Sequence, residues 1–376
     1  MNSDIKKVKV LVLGQTPPPY GGQALSIQSL VKANFEDLEI HHIRMAFSKS
    51  FEEVGKFKMK KIFHLLKVII LSVYKIFKYK IDIIHYPPGA QKIPLIRDIA
   101  VLLILRLTKR KLILIFHASG LSEEVSKWGN VLKWLFRKAF FFPEAAIQTS
   151  KFNPPDADFV KAKKKYIVYP GIKDEYNRWV NIPKTFIDEP VILYVGVIMP
   201  EKGVNVLVES LKILKDRGKS FRAYLVGEFR SSDYEKELKA KLKNLNLESE
   251  IIFTGPKVGD EKWLLYRNAD IFCFPSFAPF ESFGKVVVEA MMFELPVVAT
   301  RWRGIQEIVE DSVTGFLVEP KNPVLLAEKL GILLANKELR IEMGKRGRIR
   351  YLNYFTEEQY LESLRNIFLE VYQDKL

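Results

Sequence analysis

The 376-residue chain has a single cysteine, Cys273, set in the apolar run Phe272-Cys273-Phe274. One thiol cannot build a disulfide framework, and its apolar neighbours point to a buried structural group rather than a nucleophile. No apolar tract is both long and uncharged: the longest, residues 62–77, carries His64, Lys67 and Lys75, so a spanning helix is not expected. Only four apolar residues separate Lys9 from Gly14, too few for the apolar core of a signal peptide, so a cytoplasmic, reducing location is expected. No Asp/His cluster has metal-ligand spacing, and no metal is expected. Acidic residues are scarce in the first half alone. Residues 1–180 hold 31 Lys and Arg against 15 Asp and Glu, whereas residues 181–376 hold 28 against 29, so the net charge of +15 belongs to the first half. A basic half suits nucleic acid or an anionic membrane surface. Apolar residues interleaved with its lysines favour the membrane, and no nucleic-acid partner is expected. The length and a 48% hydrophobic content suit two globular domains.

What the sequence does contain is concentrated at residues 272–309, FCFPSFAPFESFGKVVVEAMMFELPVVATRWRGIQEIV. Residues 271–275 read as a buried strand ending in a loop, residues 284–294 as a helix closed before Pro296, and residues 297–299 as the start of another strand. Such a parallel α/β unit places its loop at the carboxyl end of a sheet, where ligands bind. Glu281 in the loop and Glu289 on the helix have seven residues between them. The backbone N–H groups of Ser282, Phe283 and Gly284 stand at the helix start and can hold an anion such as a pyrophosphate. At about 1.5 Å per helical residue, the two carboxylates lie on the order of 10 Å apart. That span suits a nucleotide-sugar, ribose diol at one end and hexose at the other, and ionised carboxylates accept hydrogen bonds from paired hydroxyls. An isolated Glu-x7-Glu is more often a surface Glu and an unrelated helix Glu; here the surrounding frame gives the pair its meaning.

That frame, PS-x4-E-x-FG-x4-EAM-x4-PVVAT-x3-G-x2-EIV, resembles the E-x7-E signature of retaining GT-B glycosyltransferases, in particular the GT4 group. The resemblance covers most of the second half strongly and the first half at a few loops. It implies an α/β fold of two Rossmann-like domains with parallel sheets facing a central cleft. The expected division is an acceptor-binding domain at 1–185, a nucleotide-sugar-binding domain at 186–355, and a C-terminal helix at 356–376 crossing back to the first. The composition places the boundary within residues 181–190, a polar stretch with two prolines before a strand at 191–195. Enzymes of this type usually need no metal, and no cofactor is expected beyond the nucleotide-diphosphate sugar.

In the first half, residues 8–14 read as a strand and 24–32 as a helix, with Gly21 and Gly22 between them. By resemblance this glycine loop faces the donor phosphates and the acceptor. Residues 56–80 place apolar side chains at 62, 65, 66, 69, 73, 76 and 77 and basic ones at 60, 61, 67, 75 and 78, a helical spacing. Two readings stand side by side: an ordinary amphipathic helix with a solvated basic face, or an interfacial helix lying among lipid headgroups. A second basic and aromatic stretch, residues 127–142, tips the balance toward the membrane. Residues 81–85 and 111–116 read as strands, the latter ending in His117-Ala118-Ser119-Gly120. A lone histidine is more often structural, but the resemblance places His117 against the donor sugar, with Ala118 departing from the usual Gly or Asp. Residues 146–150 read as a short strand, and residues 161–165 as a charged, solvated face. Pro170-Gly171-Ile172 resembles the family's turn into the linker.

In the second half a strand ends at Gly196, and Lys202 stands beside Gly203 at a helix start, well placed to neutralise a diphosphate. Val197 stands where the family carries an Arg. Strands are expected at 221–226 and 251–253, the latter followed by Pro256 and Lys257, a loop whose backbone holds the nucleobase in relatives. Arg303 stands where a glycine is common and either reaches a donor phosphate or points to solvent. An amphipathic helix is expected at 356–372.

The resemblance implies retaining transfer of a hexose to a hydroxyl of a glycan acceptor. Glu281 orients the sugar, Glu289 the ribose, and Lys202 with the amides of Ser282–Gly284 the leaving diphosphate. The basic and apolar stretches point to a lipid-linked acceptor in surface polysaccharide assembly and to peripheral attachment at the inner membrane face. A hydrolase reading of the Glu pair is disfavoured: retaining glycosidases hold their carboxyls about 5 Å apart and inverting ones about 6.5–9.5 Å. A non-catalytic GT-B subunit that binds nucleotide-sugar or scaffolds a partner has Val197 as its sequence support. A nucleic-acid binder ranks last.

Overall fold

The computed structural model describes residues 7–47, 59–185 and 189–374. The chain forms two compact units, Met1–Gly171 with Glu357–Leu376, and Ile172–Thr356. The first runs β1 Val8–Gly14, α1 Gly22–Lys32, β2 Leu38–Arg44, α2 Met59–Lys78, β3 Ile83–Tyr86, α3 Lys92–Leu107, β4 Lys111–Phe116, α4 Leu121–Ser126, α5 Asn130–Phe140, β5 Ala145–Gln148, α6 Asp156–Phe159 and β6 Lys164–Ile167. The second runs α7 Tyr176–Trp179, β7 Val191–Val195, α8 Val204–Asp216, β8 Arg222–Val226, α9 Ser232–Asn244, β9 Ile251–Gly255, α10 Asp260–Asn268, β10 Ile271–Phe274, α11 Lys285–Met292, β11 Val297–Thr300, α12 Ile305–Ile308, β12 Gly315–Val318, α13 Pro323–Ala335 and α14 Lys337–Tyr354. The chain then returns to the first unit with α15 Glu357–Gln373.

Each unit holds one six-stranded parallel sheet, ordered β2-β1-β3-β4-β5-β6 and β12-β11-β10-β7-β8-β9. Parallel strands covered on both faces are near-continuous apolar runs, and the side chains alternate between the two faces. Val8, Val10 and Val12 of β1 pack in one core cluster with Ile27 and Leu30 of α1 and Leu364 and Phe368 of α15. Leu11 and Leu13 point the other way, into a cluster with Val68 of α2, Leu102 of α3 and Phe136 of α5. The ammonium of Lys111 donates to the carbonyls of Val371 and Tyr372, each at 2.9 Å, and Arg365 pairs with Asp37 at 2.6 Å. The α15 helix is thereby fastened to the first sheet.

One expectation needs correction. The division between the units falls after Gly171, ahead of residues 181–190, because the segment from Ile172 onward is tied to the second unit. Arg267 of α10 donates to the carbonyls of Trp179, Val180 and Ile182 at 3.1, 2.9 and 3.0 Å, and Arg348 of α14 grips Asp174 at 2.9 Å. Residues 186–188 of that stretch lie outside the described residues. The charged run at 161–165 keeps Lys161, Lys163 and Lys165 exposed, while Lys164 opens β6, which pairs with β5. Lys164 itself pairs with Glu370 at 2.8 Å and Asp374 at 2.7 Å, partners that hold its pKa above the ordinary lysine value. The α2 helix carries two apolar stripes rather than one. It buries Val68, Ser72 and Ile76 and turns Phe63, Leu66, Ile70, Tyr74 and Phe77 outward, so a second apolar stripe lies in solvent among its lysines. Residues 56–58 of the expected helix lie outside the described residues. Among the described residues no helix is long and apolar enough to cross a membrane.

Candidate active site

Strand order reverses between β7 and β10, neighbours paired through Ile192 and Ile271. Connections leave such a pair in opposite directions, and a crevice opens at the carboxyl ends. Lys202 follows β7 and Glu281 follows β10. After β7 the chain makes a short 3-10 turn, Pro200–Lys202, and then Gly203, whose φ is +75°. A Cβ at Gly203 would lie 2.0 Å from the Pro275 carbonyl oxygen, so only glycine lets the two loops close on one another. The Phe277 N–H donates to the Glu201 carbonyl at 2.9 Å and draws the loops together. The result is an ion pair, Lys202 Nζ to Glu281 Oε2 at 2.5 Å, with both side chains largely buried. The Ser276 hydroxyl donates to the same oxygen at 3.3 Å, and the Lys202 ammonium lies over the rings of Phe274 and Phe280 at 5.3 and 5.7 Å.

Glu289 sits on α11 and is 3% exposed. Its Oε1 accepts from Lys262 Nζ at 2.7 Å and its Oε2 from the Tyr266 hydroxyl at 2.8 Å. Lys262 and Tyr266 are one turn apart on α10, which puts both on the same helix face. The Lys262 ammonium also lies 4.0 Å from the centroid of the Trp263 ring. Burial, and then the Glu289 charge, push the Tyr266 hydroxyl well above the ordinary phenol range, so it stays a donor. A carboxylate has roughly four lone-pair directions, and these two donors take one on each oxygen.

Gly284, φ +96°, caps the start of α11, directly after Ser282 and Phe283. Gly304 is pressed onto that segment: a Cβ there would lie 2.0 Å from the Ser282 carbonyl oxygen. Arg303 is buried, with its guanidinium 5.5 Å from the Trp302 ring, which removes the solvent-pointing alternative. Gly196 directly follows β7, and at Val197 the backbone carbonyl accepts from the Tyr194 hydroxyl at 3.0 Å. Pro256 and Lys257 follow the edge strand β9, and Lys257 pairs with Glu261 at 3.1 Å.

Gly21, Gly22 and His117 belong to the first unit. Gly22 is the first residue of α1, and Gly21 before it is extended, φ −142°, so neither turn geometry nor handedness accounts for it. His117 directly follows β4, whose neighbour β3 flanks the point where the first sheet reverses. The loop after His117 is held by Asp156, a 1% exposed carboxylate that accepts from the N–H groups of Gly120 and Ser122 at 2.9 and 2.8 Å and from the Ser122 hydroxyl at 2.6 Å. Burial raises the Asp156 pKa against the pull of these bonds.

Sequence reasoning reached Lys202, Glu281 and Glu289 but missed Ser276, Lys262, Tyr266 and Asp156. The spacing of Lys262 and Tyr266 was visible; the face they share with Glu289 was not. Among the described residues no three His, Cys, Asp or Glu side chains could hold a metal ion.

Residues 177–350 match the family model for glycosyl transferases group 1. An uncharacterized glycosyltransferase of Methanocaldococcus jannaschii is 29% identical over 97% of this chain and 99% of its own length. The capsular polysaccharide biosynthesis glycosyltransferase CapM of Staphylococcus aureus is 30% identical over 54% of this chain and 51% of its own, so that match spans about half of CapM. In fold, the chain superposes on HepE of Anabaena, solved in complex with UDP, with a TM-score of 0.73 at 20% identity over 96% of this chain and all of that one. HepE has also been solved with UDP-glucose. The family match thus lies in the second unit, within residues 177–350, and the likeness to HepE shows the two-domain GT-B fold.

Proposed function

We propose that the protein is a retaining hexosyltransferase that uses a nucleotide-diphosphate sugar. The observation that carries the proposal is the Lys202–Glu281 pair at the reversal point of the second sheet, with buried Glu289 on the helix that follows. Glu281 orients the donor sugar, Glu289 accepts from the ribose hydroxyls, and Lys202 with the start of α11 draws on the diphosphate. His117, Gly21 and Gly22 serve the sugar and acceptor side, Gly196, Pro256 and Lys257 the nucleotide, and Arg303 the phosphates. The acceptor oxygen attacks the anomeric carbon on the face the diphosphate leaves. The carbon–oxygen bond to phosphate breaks as the new one forms, and the acceptor proton passes to the departing phosphate oxygen. Positive charge held where the leaving group gathers negative charge lowers the barrier without reorganisation. No protein nucleophile, metal or further cofactor is required. HepE, solved with UDP and UDP-glucose, supports a uridine donor as the first to try.

The acceptor in this proposal is a glycan hydroxyl borne on a lipid in surface polysaccharide assembly, a role for which similarity to CapM speaks. The protein would then sit peripherally on the inner face of the cell membrane. The outward stripe of α2 and the basic excess of the first half support that attachment. A non-catalytic nucleotide-sugar-binding or scaffold subunit is the second reading, and Val197 in place of a cation beside the diphosphate is what favours it.

The decisive experiment is donor hydrolysis and binding across UDP-, GDP- and ADP-sugars for wild type and Glu281→Ala. Slow hydrolysis of one donor, reduced about 10²–10³-fold in the variant, is the expected result. Binding to no donor would end the transferase reading in favour of the scaffold.

A further inference from the structure

The amino ends of the first sheet carry a cavity of about 710 Å³, walled by the end of α5, the turn before β5 and the segment from α6 to β6. His117, Gly21 and Gly22 follow the carboxyl ends of their strands, so in a parallel sheet this cavity lies at the opposite edge. Its floor is aromatic: Phe141 and Phe159 meet edge to face at 6.1 Å, and both pack on buried Phe136. Trp134 and Phe142, each 57% exposed, form the rim. Three cations stand around these rings. Lys138 lies 5.9 Å from the Trp134 centroid, Lys161 lies 5.8 and 6.0 Å from Phe141 and Phe142, and Arg137 is exposed on the same helix end. Among the described residues none of the three has a carboxylate partner, and the one carboxylate in the wall, Asp158, is held by Lys165.

The backbone is shaped for this arrangement. Phe142 and Lys161 both adopt left-handed conformations, φ +56° and +53°, which disfavour side chains of that bulk. The Phe142 N–H donates to the Val160 carbonyl at 2.9 Å, and Arg106 donates to the carbonyls of Ala139 and Phe141 at 2.8 and 2.5 Å. The α2 and α3 helices end at the same edge, with Phe77 and Leu107 exposed and Lys78 and Lys109 after them.

Cations without counter-charges over an aromatic, otherwise apolar bowl match an anion that brings hydrocarbon with it. A free phosphate would leave the rings wet, and a single-stranded nucleic acid would leave Phe77 and Leu107 uncovered. We propose that this cavity is a headgroup site for an anionic phospholipid, with the phosphate held by Arg137, Lys138 and Lys161 and the chain laid on Trp134 and Phe142. It rests on the membrane reading above and narrows it from a charged face to one saturable site.

The test titrates the full-length protein with dihexanoyl phosphatidic acid below its micellar concentration, following tryptophan fluorescence. Saturable binding whose signal disappears in Trp134→Phe is expected, weakened about tenfold in Arg137→Gln or Lys161→Gln. The paired change Lys60→Gln with Lys67→Gln on α2 removes twice the charge of either cavity variant and should leave that binding unchanged. Inorganic phosphate and an oligothymidylate are probed in parallel. The proposal is overturned if the lipid gives no saturable signal, if the α2 variant weakens it as much as the cavity variants do, or if phosphate or the oligonucleotide binds as tightly. Sedimentation with phosphatidylglycerol vesicles separates the two levels. Vesicle binding without monomeric-lipid binding sinks the headgroup site and keeps the membrane reading; failure of both sinks both.

Discussion

The two sheets of this chain have the same strand count, the same parallel sense and one reversal each, yet their charged residues are placed in opposite ways. In the second unit the charges converge on the reversal point and are enclosed there: Lys202 with Glu281, Lys262 with Glu289. In the first unit Lys60, Lys67 and Lys78 of α2 and Arg137 and Lys138 of α5 lie outside, on helices whose outward faces also carry Phe63, Ile70 and Trp134. Enclosed pairs at a sheet's carboxyl ends suit a small, highly charged ligand held by a few groups. Exposed cations among apolar side chains suit an extended surface. One scaffold is thus adapted at its loops in one half and at its helical layer in the other, and the fold alone would not tell these uses apart.

If that contrast is sound, disturbing the enclosed pairs should cost more than disturbing the exposed stripe. The largest effect on stability is expected from Lys262→Met, which leaves the buried Glu289 carboxylate without its cation. Urea unfolding should show a loss of about 3–5 kcal/mol, and a loss under about 1 would mean the pair is not enclosed as described. Among the buried titratable groups of the first unit is His85, which has no hydrogen-bond partner among the described residues and whose pKa burial lowers to about 4. The unfolded chain takes up a proton near pH 6.5 and the native one does not until about pH 4. Stability is therefore full above pH 6.5 and falls on acidification, by about 3 kcal/mol over that window. His85→Leu should flatten this part of the pH profile, and an unchanged slope would refute the assignment.

A smaller effect is expected from Tyr266→Phe, which removes one hydrogen bond to Glu289. A loss of about 1–2 kcal/mol, with a raised KM for the donor and little change in kcat, would mark Tyr266 as a positioning residue. Smallest of all, Phe63→Ser with Ile70→Ser should change stability by no more than about 0.5 kcal/mol per site, since both side chains already face solvent. Binding to anionic vesicles should nevertheless fall. Destabilisation well beyond that figure would place the stripe inside the core and remove the contrast.

The strands at Val8–Gly14, Lys111–Phe116 and Val191–Val195 coincide with the sequence reading because parallel strands buried on both faces are bare apolar runs bounded by polar or glycine residues. The edge strand Lys164–Ile167 escaped that reading. Its lysine-rich residues alternate between exposed and half-buried, so it lacks the apolar run that marks its partner β5, a strand the sequence does show. The same distinction holds at the site. Glu281, Glu289 and Lys202 stood out within local motifs, whereas the Arg303 alternatives were separated only by burial.

By itself, the sequence determined that this is a two-part α/β chain with a basic first half and a stretch that resembles group 1 glycosyl transferases, since periodicity, charge and motif spacing are all local properties. Tertiary structure alone decided which charges meet. Lys202 and Glu281 are 79 residues apart and touch because Gly203 lets one loop rest on another. Lys262 and Glu289 meet across two helices, and the wall of the aromatic cavity comes from segments on either side of β5. Contacts of this kind depend on how strands are ordered in the sheet, and strand order is a property of the packed chain rather than of any stretch within it.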